Sequence, residues 1–244
     1  MRLRRAFAVA AALAAAFAAA ADRPDSAPSP LTLERLKQFD PPALARAVVA
    51  AAAARPDYSA VFERTERIDG ALKGAETARV KLRSKPFSVH IKWTAGPNAG
   101  REALYVEGKW SGAMALCVNP RLPILYVRPD AKELEAYTRH PITQMGLGYL
   151  ASRMVEQIEA ARKAGTLEWT VIGPEELRGR RTFRVRRKLE EGGYRYWNLD
   201  AETWLPLRVW STDAGGGLVE RYEYRDIDFN VGLSDDDFDP DEIW

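Results

Sequence analysis

Along residues 87–93 the side chains alternate without a break. Phe87, Val89, Ile91 and Trp93 are apolar, whereas Ser88, His90 and Lys92 are polar. A period of two marks a strand with one face buried, so the four apolar residues face a core and His90 faces water. Shorter runs of the same kind at 58–67, 76–83, 101–107 and 112–118, with a briefer one near 122–127, predict a meander of strands. Asp69-Gly70, Ser84-Lys85-Pro86, Gly96-Pro97-Asn98 and the 108–112 turn punctuate them. The period then changes. Residues 129–137 read as a short helix. Leu147, Leu150, Ala151, Met154, Ile158 and Ala161 recur at helical spacing, with Arg153, Glu156 and Glu159 turned outward and Gly165 as the stop. Strands resume at 167–172, 181–188, 193–199, 205–211 and 217–228, separated by Gly173-Pro174, Gly192-Gly193 and a triple glycine after Asp213.

Ahead of the first strand, Asp40-Pro41 has the form of a helix N-cap followed by proline, and the alanine-rich run behind it stops before Pro56. Helices at the start and in the middle, with about eleven antiparallel strands around them, make an α+β fold: a curved, one-face-covered sheet with the helices over its concave side. Organisation follows from this. Residues 1–21 form an export signal, 22–39 a mobile linker and short helix, and 40–244 one domain with a helical insertion at 129–164.

The signal reading rests on Arg2, Arg4 and Arg5 ahead of an apolar stretch too short for a comfortable span, then Ala19-Ala20-Ala21 before Asp22. Arg4-Arg5 also fits a twin-arginine signal. Export places the mature chain in the periplasm or beyond, with no transmembrane anchor after cleavage. Taking those three arginines from 36 basic and 34 acidic residues leaves one net negative charge. Near-neutrality gives no reason to expect nucleic acid as a partner. Cys117, the single cysteine, excludes an intramolecular disulfide and sits among apolar neighbours as an inert thiol.

Candidate chemistry is sparse. Two histidines and one cysteine cannot build a zinc site of the usual kind, no G-x-S-x-G element appears, and no cofactor motif is present. His140 precedes Pro141 at the entrance to the long helix, a structural corner rather than a base with a visible partner. The tail 234–242 alternates aspartates like a calcium loop, but proline replaces the required sixth-position glycine, so a solvated acidic terminus is expected. The basic run 178–188 has acidic partners available at 220–228 for cross-strand pairing, with contact to an anionic lipid as the sharper reading. Seven tryptophans exceed what a polar-backed sheet needs, and they fit either a core or an apolar ligand site.

Taken together, YSAVFERTERIDGAL, LRSKPFSVHIKW, GREALYVEGKW, RHPITQMGL and YRYWNLDAETWLPLRVW resemble a bacterial family of exported proteins of unknown function. Its order of elements is similar to the LolA/LolB lipoprotein-carrier fold, an unclosed antiparallel half-barrel of about eleven strands with helices over an apolar mouth. The resemblance implies a cavity for acyl chains, and a non-enzymatic binder or carrier of a lipid, lipoprotein or other apolar ligand. Its partner would be a lipid or acylated protein. The alternative is an envelope protein-binding or stress-sensing module. No metal or catalytic residue is expected. Phe87, Val89, Ile91, Trp93, Leu147, Leu150 and Met154 are the expected cavity lining, and His140, Pro141, Gly146 and Gly148 the expected lid hinge.

Overall fold

The computed structural model describes residues 29–244, so the expected signal at 1–21 and the first part of the expected linker lie outside the described residues. Two helices come first, α1 (Leu33–Gln38) and α2 (Pro41–Ala53). Seven strands follow: β1 (Asp57–Ile68), a two-residue β2 (Ala71–Leu72), β3 (Glu76–Ser84), β4 (Phe87–Ala95), β5 (Glu102–Val106), β6 (Met114–Cys117) and β7 (Leu125–Val127). After a connection carrying α3 (Leu147–Ala164) come β8 (Trp169–Leu177), β9 (Arg180–Lys188), β10 (Tyr194–Asp200), β11 (Pro206–Thr212) and β12 (Leu218–Phe229), then α4 (Pro240–Ile243).

All strands pair antiparallel in one sheet ordered β7-β6-β5-β4-β3-β1-β12-β11-β10-β9-β8, with β2 attached to the end of β1. Two meanders are thus stitched together by the long β1–β12 pair, while β7 and β8 remain free edges. The half-barrel is unclosed, as expected. Topology then fixes where the insertion runs. β7 and β8 are consecutive in sequence but lie at opposite edges, so their connection must cross the sheet, and it crosses the concave side. Leu147, Ala151, Met154, Ile158 and Ala161 of α3 are buried there, and α2 packs beside it through Leu44, Ala45, Val48 and Ala51. Facing them are Phe62, Val80, Val89, Phe183, Val185, Trp197 and Val209, one connected core. Each large side chain so buried contributes roughly 1.5–3 kcal/mol.

Several expectations are corrected in detail. Only Lys132–Ala136, as a 3-10 turn, is helical within 129–137, and the long helix starts at Leu147 after a separate turn at Ile142–Gln144. The described part of the 22–39 segment holds α1 where a short helix is expected, and the linker ahead of it is anchored at its described end: Leu31 joins Leu36 in the main core, its N–H donating to the Ala201 carbonyl at 2.6 Å. The acidic terminus is not simply solvated. It folds back under the convex face, where Phe238 is fully enclosed by Leu104, Val106 and Ala115. Lys81–Asp237 and Arg83–Asp235 pairs, both at 2.7 Å, pin it down. This cover also removes His90 from water. It is 9% exposed, with Nε2 2.8 Å from Glu102, whose carboxylate also accepts from Trp244 Nε1. Strand periodicity identifies the face a side chain occupies, not what a distant segment lays over it.

Candidate functional site: a covered apolar cavity with a polar rim

Between the concave face and the crossing connection lies a cavity of about 390 Å³. Ligand pockets run roughly 300–1,000 Å³, so this one has room for a small apolar molecule. Its floor is Phe62, Ile91, Trp93, Met114 and Tyr224; its cover includes Ile142, Met145 and Leu150. The strand ends supply a different surface. On the concave face the parity that places Ala60 and Phe62 inward continues into Arg64 and Glu66, and the parity of Tyr224 and Tyr222 continues into Glu220. Apolar packing therefore gives way to charge at one end of the half-barrel.

There Glu66 and Glu220 sit directly opposite each other across β1 and β12. Like charges in that position repel. The surroundings offset it. Tyr222 Oη donates to Glu66 Oε1 at 2.5 Å and lies 3.2 Å from Glu220 Oε2. Glu220, 2% exposed, also accepts from Arg195 Nη2 (2.5 Å), His140 Nε2 (3.0 Å) and Arg139 Nε (3.1 Å). Burial opposes ionisation of Glu220, but His140, Arg195 and Arg139 outweigh it and hold the carboxyl well below its ordinary range. Burial likewise opposes the charge on His140, and Glu220 more than offsets it, so the imidazole pKa is raised. Burial, then the two carboxylates, push Tyr222 far up. The arrangement is an ion-paired clasp that fastens residues 137–144 to the rim. Both ring nitrogens of His140 are engaged, Nδ1 lying 3.1 Å from Gln144 Oε1, so its position is that of a fastener.

The start of α3 is fastened differently. No side chain of Ser, Thr, Asp or Asn caps it. Instead two buried tyrosine hydroxyls accept from the first free amides, Tyr224 from Gly146 N at 3.0 Å and Tyr58 from Leu147 N at 2.9 Å. Gly146 makes that approach feasible. Its φ is +100°, and a Cβ there would lie 2.4 Å from Leu82 Cδ1.

Of the expected lining, Ile91, Trp93 and Leu150 border the main cavity. Phe87 and Leu147 border a smaller one of about 250 Å³ toward α2. Val89 and Met154 are packed solidly in the core. Of the expected hinge, His140, Pro141 and Gly146 border the main cavity, while Gly148 borders the smaller one and has open space where a Cβ would stand. Sequence reasoning missed Glu66, Glu220, Tyr222 and Arg195; the signal was charged residues at core parity within strands. The basic run 178–188 is mostly paired on the convex face and loops: Arg180 forks onto Asp200 at 2.9 Å, Arg178 reaches Glu223 at 3.1 Å, and Arg184 contacts Glu175. The tryptophans divide between roles. Trp93 lines the cavity, Trp197 and Trp204 fill the core, and Trp210 stacks on Tyr196 outside. No cluster of metal-ligating side chains occurs among the described residues.

Comparison with known proteins agrees with this architecture. The lipoprotein LppX of Mycobacterium tuberculosis superposes with a TM-score of 0.50 at 14% identity, covering 80% of this chain and 99% of its own. MucB in the MucA/MucB complex of Pseudomonas aeruginosa gives 0.49 at 14% identity, over 82% of this chain and 61% of the other. A LolA-superfamily protein from Nitrosomonas europaea gives 0.35 at 10% identity, over 81% and 98%. At such identities the likeness concerns the fold. No curated protein matches by sequence. A family model described as a protein of unknown function (DUF1571) matches residues 55–243, from the residues just ahead of β1 to the last residue of α4, and on that extent the chain belongs to the DUF1571 family, here folded as an unclosed antiparallel half-barrel.

Proposed function

We propose that the protein is an exported, periplasmic binder or carrier of a lipid, an acylated protein or another apolar ligand, held between the concave face and the connection that crosses it. The observation that carries this reading is the cavity of about 390 Å³, floored by Phe62, Ile91, Trp93 and Met114. Ten methylenes buried there contribute about 8 kcal/mol, which corresponds to a dissociation constant on the order of micromolar before ordering costs are subtracted. Protein isolated from its own cell envelope and analysed by native mass spectrometry carries a lipid-sized adduct under this reading. Isolation free of adduct, together with no uptake of a fluorescent fatty acid, sinks it.

One observation favours a second reading, a protein-binding module of the envelope. The free edge strand β7 exposes Leu125 and Tyr126, each about half accessible, beside Leu122 at 59%. An open apolar edge suits addition of a partner strand. Crosslinking in cells from a photoreactive residue at position 126 that captures a defined protein, with no lipid found in the cavity, decides for this module.

A further inference from the structure

The end of the cavity away from Trp93 has chemistry that an apolar ligand does not use. Arg195 on β10 and Arg187 on β9 stand directly opposite each other on the concave face. Two guanidiniums in that register repel. Burial, then Arg195, lower the pKa of Arg187. Arg195 gives Nη2 to Glu220, but no protein group accepts from its buried Nε, nor from the buried Nε of Arg187. Among the described residues Arg187 has no carboxylate within ion-pairing distance, and its Nη1 reaches only the Lys188 carbonyl at 3.3 Å. From the other side α3 presents Arg153, whose Nη1 pairs with Glu156 on the exposed side of the helix, and, one turn on, Gln157, both bordering the cavity. The Oε1 of Gln157 is buried with no protein donor. Glu220 cannot neutralise this group alone, because it already serves Arg139 and His140. A buried N–H of a cation without an acceptor is costly, and such atoms in a folded protein call for an explanation. Here Arg195 and Gln157 border the same cavity wall, and Arg187 adjoins it through its pairing with Arg195 across β9 and β10.

Resting on the binder reading above, we infer that the end of the cavity between α3 and strand β10 is a subsite for the anionic head group of an amphiphile. A phosphate or carboxylate accepts from Arg195 and Arg153, and a hydroxyl on the same head group donates to Gln157 Oε1. The tail lies along Phe62, Ile91 and Trp93. The ligand class is therefore an acyl chain ending in an acid or phosphate, and a neutral hydrocarbon or sterol satisfies only half of the cavity.

Isothermal titration of the folded protein with dodecyl phosphate, dodecanol and inorganic phosphate tests this. Dodecyl phosphate is expected to bind at least tenfold more tightly than dodecanol and than inorganic phosphate, with the preference over dodecanol shrinking as salt is raised. Arg195→Gln brings the dodecyl phosphate to dodecanol ratio toward one. Arg153→Gln, on an exposed stretch of α3 where folding is not at stake, does the same to a smaller degree. Equal affinity for the phosphate and the alcohol overturns the head-group subsite and leaves the apolar binder standing. A preference that survives in both variants overturns the residue assignment. Inorganic phosphate binding as tightly as dodecyl phosphate makes the site one for a free anion and overturns the amphiphile. No binding of any of the three overturns this inference and the binder reading together.

Discussion

Two glycines only two residues apart, Gly146 and Gly148, are expected to respond to alanine with opposite signs. At Gly146 the backbone φ is +100°, where an L side chain is strained, and the added methyl would stand 2.4 Å from Leu82 Cδ1 and 3.1 Å from the Tyr58 hydroxyl. The backbone strain costs roughly 1–3 kcal/mol and the overpacking another 1–3, with some relief if Leu82 moves. A further loss follows if the shift breaks the amide contacts to Tyr224 and Tyr58 that begin α3. The expected total is about 3 kcal/mol of lost stability. At Gly148 the backbone is helical and nothing lies within 4 Å of the position a Cβ would take. Removing the conformational freedom of glycine there stabilises the fold by about 0.5 kcal/mol, the low end of the helix-interior value because the site is in the first turn. Urea denaturation followed by tryptophan fluorescence reads both, with the m-value expected to stay constant. If Gly146→Ala changes stability by less than about 0.5 kcal/mol, or both variants shift the midpoint the same way, the account of how α3 is fastened is wrong.

His140 has a pKa raised by folding, so its contribution is fully present below the unfolded value near 6.5 and is lost as pH rises through the folded value. The stability difference between wild type and His140→Gln should accordingly shrink between pH 6 and 9. A constant difference over that interval would show that the Glu220 contact contributes no ion pairing. Phe238→Ala, which empties a fully enclosed site under β5 and β6, is expected to cost about 3–5 kcal/mol and to release the tail to limited proteolysis. An unchanged melting temperature would contradict the packed terminus. Trp93→Ala should weaken uptake of a fluorescent fatty acid while leaving the melting temperature within a few degrees, since Trp93 borders the cavity and is only partly buried; undiminished uptake would move the ligand elsewhere.

Periodicity made most of the fold legible. All eleven longer strands overlap the runs that alternation marks, because the register of a half-buried strand is set by its own apolar side chains; β8 departs in extent, continuing past the expected break at Gly173-Pro174 to Leu177 by way of a bulge between Val171 and Gly173. The topology was legible through hairpin turns, and the crossing of α3 over the concave face follows from β7 and β8 being opposite edges. What local pattern did not contain were contacts made over long sequence distances. Phe238 reaches the β5–β6 pair, and Trp244 closes over His90 and Glu102, 142 residues back in the case of Glu102. The site divides the same way. Ile91, Trp93 and Leu150 followed from parity and helical spacing, whereas Glu66 and Glu220, far apart in sequence, become a pair only when β1 meets β12.

The geometry also predicts which part of the cover opens more easily. Opening at α3 is expected to be costly: Leu147, Ala151, Met154 and Ile158 are packed in the core, and lifting them forfeits roughly 1.5–3 kcal/mol for each large side chain exposed. Residues 128–141 have no such anchorage. Among them only Leu134 and Val127 just before them touch the core, partly buried, and the remaining hold is polar: Arg64 to the Tyr137 carbonyl at 3.2 Å, Arg139 to the Arg67 carbonyl at 3.0 Å, and Arg139 and His140 to Glu220. The two carbonyl contacts are exposed and exchange readily with water, and the Glu220 pairs are only partly buried on the Arg139 and His140 side, so local opening at 128–141 is expected to cost less than opening of α3. Hydrogen exchange should find the amides of 130–140 unprotected on a timescale where those of 150–160 are fully protected, and dodecyl phosphate in the cavity should slow the former. Equal protection of the two segments would refute a gate at the clasp and return the opening movement to the helix.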